Sequence, residues 1–494
     1  MSKRICQRAA SPRLPSVALH ALLQMLNGTH DVLSVLNALP VATLPPELLA
    51  LRDLSTLVYL TDHWPVVHAT KIPVQHARLA IAALPAFKGI HVDPGFAPLA
   101  WLDATLPPHM PVSLDVDPKV PGALCAFVHV WGSHVVNVVL KGCYVELDPI
   151  PDVLARCVNV ESVTIKNRAE PNSIATYVAA IPMTHLHTLK VLHADGQLDD
   201  ISAIVAWLQG PKATSLTLAC DAVNAPTALA RAIQASTTLT SLRIVDAIDL
   251  QRALVALPKD LHHITSLAVR DRYGDGGSAV GLLQKLNPTK LLSDSDDELP
   301  VMNVINTLAV YPALETMRLV NARLAAVTTA GVWPQLTSVT LRRSTFKAAN
   351  DVVNVIQQLS TSRCLTVVDL SHTKLGAAGF GELAWALPAW MARGLRTLVL
   401  SGTGISDNDV VLFAVALASG KNRRPLTVDM TSNELGVASV KLLLGALSAC
   451  RNVALHVETC HHNTLYSLVQ RHRLVEVRPG VFMSPPTSSP WHSF

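Results

Sequence analysis

The chain has 494 residues, of which 50% are apolar, 15% are charged and 4% are aromatic. This composition supplies a large aliphatic core, and the net charge of +4 is too small over this length to indicate nucleic acid as a partner. No apolar run reaches the roughly 18–20 residues that a membrane-spanning helix needs. We also find no apolar core of a secretory signal near the first residue.

The eight cysteines are scattered along the chain, and none belongs to a C-x-x-C pair. This distribution indicates separate buried thiols in a reducing compartment rather than a disulfide framework. We therefore expect a cytoplasmic or nuclear protein that has no membrane partner.

The first predicted elements are two short apolar helices between Leu14 and Pro40, after a basic stretch at residues 1–13 that we expect to be disordered. Apolar residues recur at helical spacing up to Asn27-Gly28, a pair that favours a helix end. A second helix begins after this pair and stops before Pro40. Two such short helices cannot bury their apolar faces alone, so we expect them to pack on another surface.

The sequence of these two helices carries a short motif. It opens with Leu-Pro, its first helix ends in an apolar pair before a turn, and an Asp followed by Val-Leu comes next. In this respect the segment resembles an F-box, and the resemblance implies docking on the Skp-type adaptor of a cullin–RING ubiquitin ligase. The residues that would dock are Leu14, Pro15, Leu19, Leu22, Leu23, Leu26, Val32, Leu33 and Leu36. The alternative is a helical cap that covers the first unit of a repeat array.

From about residue 60, apolar residues recur at intervals that predict one strand and one helical stretch per repeat. Alternating apolar residues in each copy bury one face of a strand. An earlier copy near Val66 follows the pattern only weakly. The predicted central strand positions are Ile90, Leu114, Val138, Val163, Leu189, Leu216, Leu242, Leu267, Leu292, Met317, Val339, Val368, Leu398, Val428 and Leu455.

Three copies between Leu365 and Leu447 share a stricter template, with a small polar or Asn residue at its ninth place: Thr373, Thr403 and Asn433. This side chain can satisfy backbone groups where the chain turns away from the strand. The template resembles the leucine-rich repeat, in its longer ribonuclease-inhibitor subtype. The resemblance implies an α/β solenoid, a horseshoe with parallel strands on the concave face and helices on the convex face.

We therefore divide the chain into a disordered lead (1–13), an F-box-like helical segment or cap (14–56), a leucine-rich-repeat solenoid (57–480) and a disordered tail (481–494). Inside the solenoid, the acidic run at residues 294–298 predicts a solvated loop. Phosphorylation of Ser293 or Ser295 is the alternative interpretation of this run.

The sequence offers little catalytic chemistry. It contains no G-x-x-x-x-G-K-[ST] phosphate loop, no G-x-S-x-G elbow and no H-E-x-x-H motif. One cluster has the residue types of a metal site: His456, Glu458, Cys460, His461 and His462. Because no C-x-x-C pair accompanies it, we interpret the cluster as exposed positions of the last repeat. We expect no enzyme activity, no metal and no cofactor.

Basic residues recur at the outward-facing strand positions of the middle repeats. In a leucine-rich repeat these positions line the concave face, which suits a macromolecular partner. The basic positions are Lys166, Lys190, Arg243, Arg270, Arg318, Arg342 and the adjacent Arg343, and the later repeats present Asp369, Asp429 and Glu458. Because arginine pairs two oxygens at once, a docking surface for an acidic or phosphorylated protein is predicted. A solvated face with chance charge is the alternative.

Three functional readings follow from these observations. The first is an F-box/leucine-rich-repeat substrate receptor of a cullin–RING ligase, without catalytic residues of its own. The second is a leucine-rich-repeat scaffold or ligand-binding protein with a helical cap and no ligase link. The third is a GTPase-activating protein similar to the Ran-type activators, which share the longer repeats.

Overall fold

A computed structural model describes the residue ranges 16–26, 28–93, 106–107, 109–116, 121–141, 149–166, 171–192, 196–270, 277–286, 288–294, 304–324, 331–458 and 462–484. Two compact units divide the chain, Met1–Ala213 and Thr214–Phe494, and we call them the N-terminal and the C-terminal unit.

The N-terminal unit begins with three helices and continues with alternating strands and helices. Its helices are α1 Ser16–Met25, α2 Thr29–Ala38, α3 Pro46–Leu54, α4 Ala77–Ala83, α5 Pro121–Trp131, α6 Pro149–Arg156, α7 Pro171–Ala180 and α8 Ser202–Leu208. Its strands are β1 Val66–His68, β2 Gly89–Val92, β3 Val112–Val116, β4 Val135–Lys141, β5 Ser162–Lys166, β6 Thr188–Leu192 and β7 Gln197–Leu198. The strands β1 to β6 pair in parallel in chain order.

The C-terminal unit repeats the same strand–helix alternation. Its helices are α9 Pro226–Ala235, α10 Ile248–Val255, α11 Gly277–Lys285, α12 Val304–Leu308, α13 Ala349–Leu359, α14 Gly376–Arg393, α15 Asp407–Ser419, α16 Val437–Ser448 and α17 His462–Arg471. Its strands are β8 Ser215–Ala219, β9 Ala222–Val223, β10 Ser241–Val245, β11 Ser266–Arg270, β12 Lys290–Asp294, β13 Thr316–Val320, β14 Arg323–Leu324, β15 Ser338–Arg342, β16 Thr345–Phe346, β17 Val367–Asp369, β18 Thr397–Val399, β19 Leu426–Asp429, β20 Val453–His456, β21 Val475–Arg478 and β22 Val481–Met483.

Parallel pairing in this unit runs from β8 through β10, β11, β12, β13, β15, β17, β18 and β19 to β20. The last two strands reverse direction, because β22 pairs antiparallel with both β20 and β21. The unit therefore ends in an antiparallel hairpin that covers the edge of β20, an edge that would otherwise offer unpaired backbone groups.

Each strand buries its alternate residues against the helices. In β10, Leu242 and Ile244 are 1% and 0% exposed, while the intervening Arg243 is exposed. Parallel strands joined by helices bury one face of the sheet in this way. Both units therefore have the α/β leucine-rich-repeat fold, and we call the sheet face that turns away from the helices the open face.

The strand register corrects the sequence prediction at two positions. In β12, Leu291 and not Leu292 lies opposite both Leu267 and Met317. Near the start of the array, Ile90 lies opposite Val112, two residues before the predicted Leu114. In β12 two leucines follow one another, and in β3 the three alternate residues Val112, Leu114 and Val116 are all apolar, so alternation alone did not single out the central one.

The predicted solenoid, residues 57–480, needs adjustment only at its C-terminal end. The weak copy near Val66 is a strand, with Val67 opposite Ile90. At the other end, Val481–Met483 form β22, so the tail predicted to be disordered from residue 481 begins with three residues of the sheet. The sequence pattern missed this strand because it pairs antiparallel and lies outside the repeat period.

Candidate functional site

Helix α1 is apolar on two faces. Leu19 and Leu23 are 5% and 1% exposed, because this face packs on the N-terminal unit itself. Val17, Leu22 and Met25 are 80%, 43% and 81% exposed. Their positions fall within one side of a helical wheel, opposite the buried pair. The helix therefore presents an apolar stripe, Val17, Leu22 and Met25, that the described part of the chain leaves exposed.

Two polar contacts hold this helical segment against the rest of the unit. The indole Nε1 of Trp64 donates a hydrogen bond of 2.9 Å to the carbonyl oxygen of Leu26. The Nε2 atom of His20 on α1 lies 3.3 Å from Oε1 of Glu47 on α3. The orientation of α1, and with it the exposed stripe, is therefore held by contacts at both the helix and the following turn.

The docking residues predicted for an adaptor divide by burial. Four of them pack inside the chain, so the prediction that they contact a partner is corrected: Leu19, Leu23, Val32 and Leu36. Leu22 is exposed and Leu26 and Leu33 are half-buried, while Leu14 and Pro15 lie outside the described residues. Sequence reasoning missed Val17 and Met25 as exposed positions, although the helical spacing of both was visible. Which apolar face a helix buries depends on the surface beneath it.

The open face of the N-terminal unit carries a cluster of ionisable side chains. The rings of His68 on β1 and His91 on β2 lie 4.7 Å apart, and His63 lies 6.4 Å from His68. The Nε2 atom of His91 is 3.2 Å from Oδ2 of the buried Asp115 on β3. Lys141, at the end of β4, forms an ion pair with the same carboxylate.

The charges of this cluster follow from burial and proximity. Burial lowers the pKa of His68, and the neighbouring His91, Lys71 and His63 lower it further, against an opposing effect of Asp115. Burial also lowers the pKa of His63. For Asp115, burial acts to raise the pKa, but the hydrogen bonds from His91 and Lys141 hold the pKa below its ordinary value. The carboxylate is therefore charged and the two histidines are biased towards the neutral form.

The predicted lysines Lys166 and Lys190 lie on neighbouring strands of this unit, β5 and β6, and both are exposed. Lys141 lies directly opposite Lys166 in the sheet register. The sequence analysis missed Lys141 and Asp115, because neither is distinguished by the repeat template. The basic strand positions of this unit thus include Lys141, Lys166 and Lys190, and Asp115 compensates the first.

Strand pairing places two of the predicted arginines of the C-terminal unit, Arg243 and Arg318, in one row across the sheet. One row crosses β8 to β20 with residues directly opposite one another: Thr217, Arg243, Ala268, Leu292, Arg318, Thr340, Asp369, Val399, Asp429 and His456. Arg270 follows Ala268 by two residues on β11, so both side chains point to the same face. Arg243, Arg270 and Arg318 line one cavity of about 50 Å³, together with Ala268, Val269 and Leu292.

The other two predicted arginines differ from these three. Arg342 is half-buried at the end of β15, opposite Val320 of β13. Arg343 is exposed and follows the strand with a φ of 52°, in the left-handed region. This backbone conformation ends the strand alternation, so Arg343 does not continue the row. Neither residue is among the described residues that line the arginine cavity.

The acidic residues of the later repeats have backbone partners. Oδ1 of Asp369 accepts a hydrogen bond of 2.9 Å from the amide of Ser371. Oδ1 of Asp429 accepts one of 2.9 Å from the amide of Thr431 and one of 2.7 Å from its hydroxyl. These carboxylates stabilise the turns that follow their strands, in addition to contributing negative charge to the open face.

Two further sequence predictions concern a phosphorylation site and a metal site. Ser293 is 5% exposed within β12, so the hypothesis that it is a phosphorylation site is wrong for the folded protein. Ser295 and the rest of the acidic run lie outside the described residues. The same is true of Cys460 and His461, and the described residues contain no group of three or more potential ligands that could hold a metal ion.

The helix face of the C-terminal unit carries an exposed apolar surface that the sequence analysis did not predict. Trp385 on α14 is 77% exposed, and Val411, Leu412 and Val415 on α15 are 51%, 57% and 64% exposed. Leu442 on the neighbouring α16 is 41% exposed. Surfaces of this kind often mark contacts with other proteins. The repeat template did not predict this surface. It shows that apolar residues recur at helical spacing, but not which of them are exposed.

None of the helices that the structure describes combines the length and apolarity required to cross a membrane. No protein-family model matches the sequence, and no curated protein matches it.

Solved structures with a similar chain path include an internalin from Listeria monocytogenes and the complex of Rad7 and Elc1 in yeast. The internalin is 11% identical with a TM-score of 0.36, over 74% of this chain and 86% of that chain. The yeast complex chain is 11% identical with a TM-score of 0.38, over 96% of this chain and 93% of that chain. At these values neither likeness carries an argument about function, and the fold assignment rests on the register and burial of the strands.

Proposed function

We propose that this chain is a non-enzymatic protein-interaction module, a substrate receptor that joins a Skp-type adaptor of a cullin–RING ubiquitin ligase to an acidic or phosphorylated protein. The observation that carries the proposal is the second apolar face of α1. A surface helix with one apolar face is explained by its own packing, whereas a second apolar face calls for a partner. The ligase supplies the chemistry in this proposal, and the place of action is the cytoplasm or the nucleus.

The substrate side of the proposal rests on the open face. Long side chains with fixed positive charge lie on the open face of the C-terminal unit, where Arg243 on β10 and Arg318 on β13 belong to one row with β11 and β12 between them. In the N-terminal unit Lys166 and Lys190 are exposed on adjacent strands. An open sheet face with these groups suits an extended acidic segment better than a small molecule.

A second candidate function is a scaffold whose helical segment only caps the first repeat. The burial of four apolar side chains favours the scaffold function, because a helical cap buries its apolar residues within the chain. These residues are Leu19, Leu23, Val32 and Leu36. The exposed apolar surface on α14 and α15 favours it as well, since that surface would bind a partner without any adaptor.

The test is binding of the full chain to a purified Skp-type adaptor. Leu22→Asp and Met25→Glu place charges on the exposed stripe, where the fold tolerates them, and we expect adaptor affinity to fall by at least about tenfold. Leu412→Asp on α15 is the matched control, because it places the same charge on an exposed apolar position of another helix.

Thermal unfolding of each variant checks that the fold is intact. Absence of adaptor binding by the unmodified chain, or equal loss in the Leu412 variant, would contradict the receptor proposal and favour the scaffold.

A further inference from the structure

Three consecutive helices of the C-terminal unit share an outer face that is largely apolar. Helix α15 packs on both α14 and α16, so the three helices lie side by side in chain order. Their exposed large apolar side chains are Trp385, Val411, Leu412, Val415 and Leu442. Adjoining exposed apolar groups form a surface that gains free energy when a partner covers it. We call this surface the outer helix face.

Corresponding residues of the three helices lie level with one another on this face. The strands that precede the helices, β17, β18 and β19, are aligned residue by residue, and the repeats have equal length here. Three sets of corresponding residues lie on the outer helix face, each with one member from α14, one from α15 and one from α16. These sets are Gly381, Val411 and Lys441, then Glu382, Leu412 and Leu442, and then Trp385, Val415 and Gly445.

The two outer helices of the three have opposite shapes at these positions. Where α14 carries the large Trp385, α16 carries Gly445, and Leu442 projects from α16 while α14 has Gly381. A Cβ atom on either glycine would meet no heavy atom within 4 Å, so the space above both is open. Each of these two helices therefore has one projecting apolar side chain and one hollow.

The charges on the same two helices are also opposite. Glu382 lies on α14 and the exposed Lys441 lies on α16. Neither side chain has a hydrogen bond or an ion pair with another residue that the structure describes. Because α15 lies between them, the carboxylate and the ammonium group are separated by two helix spacings of about 8–10 Å each. They therefore cannot pair within one copy of the chain.

We propose that the outer helix face binds a second copy of this chain, related by a two-fold axis parallel to α15. This rotation lays α15 on α15 and α14 of one copy on α16 of the other, which is an isologous interface. It also exchanges the two sides of each helix, where residues i and i+1 lie to either side of residue i+4. Glu382 therefore faces Lys441 of the second copy, and Trp385 faces Gly445 of the second copy. Charge and shape are thus complementary at both ends of the interface.

The size of the outer helix face sets the expected affinity. Helix α15 has 13 residues, which gives a length of about 20 Å, and three helices about 9 Å apart give a width of about 27 Å. The face therefore covers roughly 500 Å² on each copy, less than the about 800 Å² that is usual for a stable complex. We expect a reversible dimer with a dissociation constant in the micromolar range. The inference goes beyond the proposed function, because it requires neither adaptor nor substrate.

The experiment measures sedimentation equilibrium of the full chain over a range of concentrations around the micromolar level. We expect a monomer–dimer equilibrium. Glu382→Lys and Lys441→Glu should each weaken the dimer by about tenfold or more, since each brings like charges together at two symmetry-related places. The variant that carries both changes should recover the dimer, because the pair of opposite charges is restored. Glu434→Lys makes the same change on an exposed side chain before α16, outside the outer helix face, and is the matched control.

A further variant tests the shape of the interface. Gly445→Leu fills the hollow that Trp385 of the second copy would occupy, and we expect it to weaken the dimer by about tenfold or more. The fold should tolerate this change, because a Cβ atom at this position meets no heavy atom of its own chain within 4 Å. Thermal unfolding of each variant checks that the fold is intact.

Each alternative has its own outcome. A chain that stays monomeric at all concentrations overturns the proposal, and so does a dimer that neither single charge reversal weakens. Equal loss in the Glu434 variant, or no recovery in the double variant, also overturns it, because the dimer would then form through other contacts. Binding of the monomer to phospholipid vesicles, lost in Val415→Asp, would assign the outer helix face to a lipid surface instead. Adaptor binding through α1 is measured separately, so failure of either proposal leaves the other standing.

Discussion

Asn433 joins two consecutive turns through one buried amide. Its Nδ2 donates to the carbonyl oxygens of Leu400 and Met430 at 2.8 and 3.0 Å. Its Oδ1 accepts from the amides of Gly404 and Ile405 at 3.1 and 3.2 Å. A side chain that both donates and accepts can thus satisfy backbone groups of its own repeat and of the preceding one. This is the role that the ninth place of the template predicted.

Replacing Asn433 with alanine should therefore be costly. We expect Asn433→Ala to lower the free energy of unfolding by about 2–4 kcal/mol, because it leaves several buried backbone groups without partners. Urea denaturation measures this change. The neighbouring Glu434 is exposed, and Glu434→Ala should change stability by no more than about 0.5 kcal/mol. Similar midpoints for the two variants would show that the amide ladder contributes little.

The threonines at the equivalent places make fewer contacts. Thr403 donates from its hydroxyl to the carbonyl oxygen of Leu400 at 2.8 Å. Thr373 accepts from the amide of Ser344 at 3.1 Å and donates to the carbonyl oxygen of Leu341. A hydroxyl reaches fewer groups than an amide, so the ladder of side-chain hydrogen bonds is weaker where threonine replaces asparagine.

At the scale of elements, helix α14 shows how closely neighbouring repeats approach. It packs on both α13 and α15, and the rings of Phe380 and Phe413 stack with centroids 5.6 Å apart across the second contact. At the first contact, a Cβ atom on Gly379 would lie 2.4 Å from Cγ1 of Val352. Gly381, one half-turn further along the helix, has no heavy atom within 4 Å of such a Cβ.

Replacing each of these two glycines with alanine should change the stability of the protein in opposite directions. Gly379→Ala should destabilise the protein by about 1–3 kcal/mol, because the added methyl group overlaps the buried, branched side chain of Val352. Gly381→Ala should stabilise it by about 0.5–1 kcal/mol, because alanine favours the helix and meets no obstacle. Thermal unfolding of the two variants gives the comparison. If both raise the midpoint, the approach of α13 and α14 is looser than the structure indicates.

At the scale of the whole molecule, pH should act on one of the units through a cluster of ionisable groups. The cluster of His63, His68, His91, Asp115 and Lys141 lies on the N-terminal unit. Since the pKa values of His63 and His68 lie below 6.5 in the folded protein, the unfolded chain takes up protons first as the pH falls. Stability that is present above about pH 6.5 is then lost progressively as the pH falls towards the folded-state pKa values.

We therefore expect β1 to β3 to lose protection against hydrogen exchange between about pH 7.5 and 5.5, after correction for intrinsic exchange. Strands β17 to β19 provide the internal reference. Asp115 does not contribute in this window, because its pKa is lowered from 3.8 and its stabilisation is lost only at more acidic pH. His68→Gln should reduce the effect, since glutamine does not titrate in this range. A pH response of equal size in the reference strands would contradict the prediction.

Much of this molecule follows from the sequence by itself. The spacing of apolar residues predicted a parallel α/β leucine-rich-repeat fold, and it located strands such as the one around Leu398. It also predicted the two N-terminal helices with a break at Gly28, which is the residue before α2. These features are local, because strand alternation, helical spacing and turns are each determined by a few consecutive residues.

Other features were decided only by the tertiary structure. Whether Leu22 or Leu23 of α1 faces solvent depends on the surface beneath the helix, and the sequence shows both as equally apolar. The placement of Arg243 and Arg318 in one row of the sheet depends on strand register, which a single residue of slippage would abolish. The strand Val481–Met483 depends on an open edge at β20. Each of these is a contact between positions distant in sequence, and no local pattern encodes the partner.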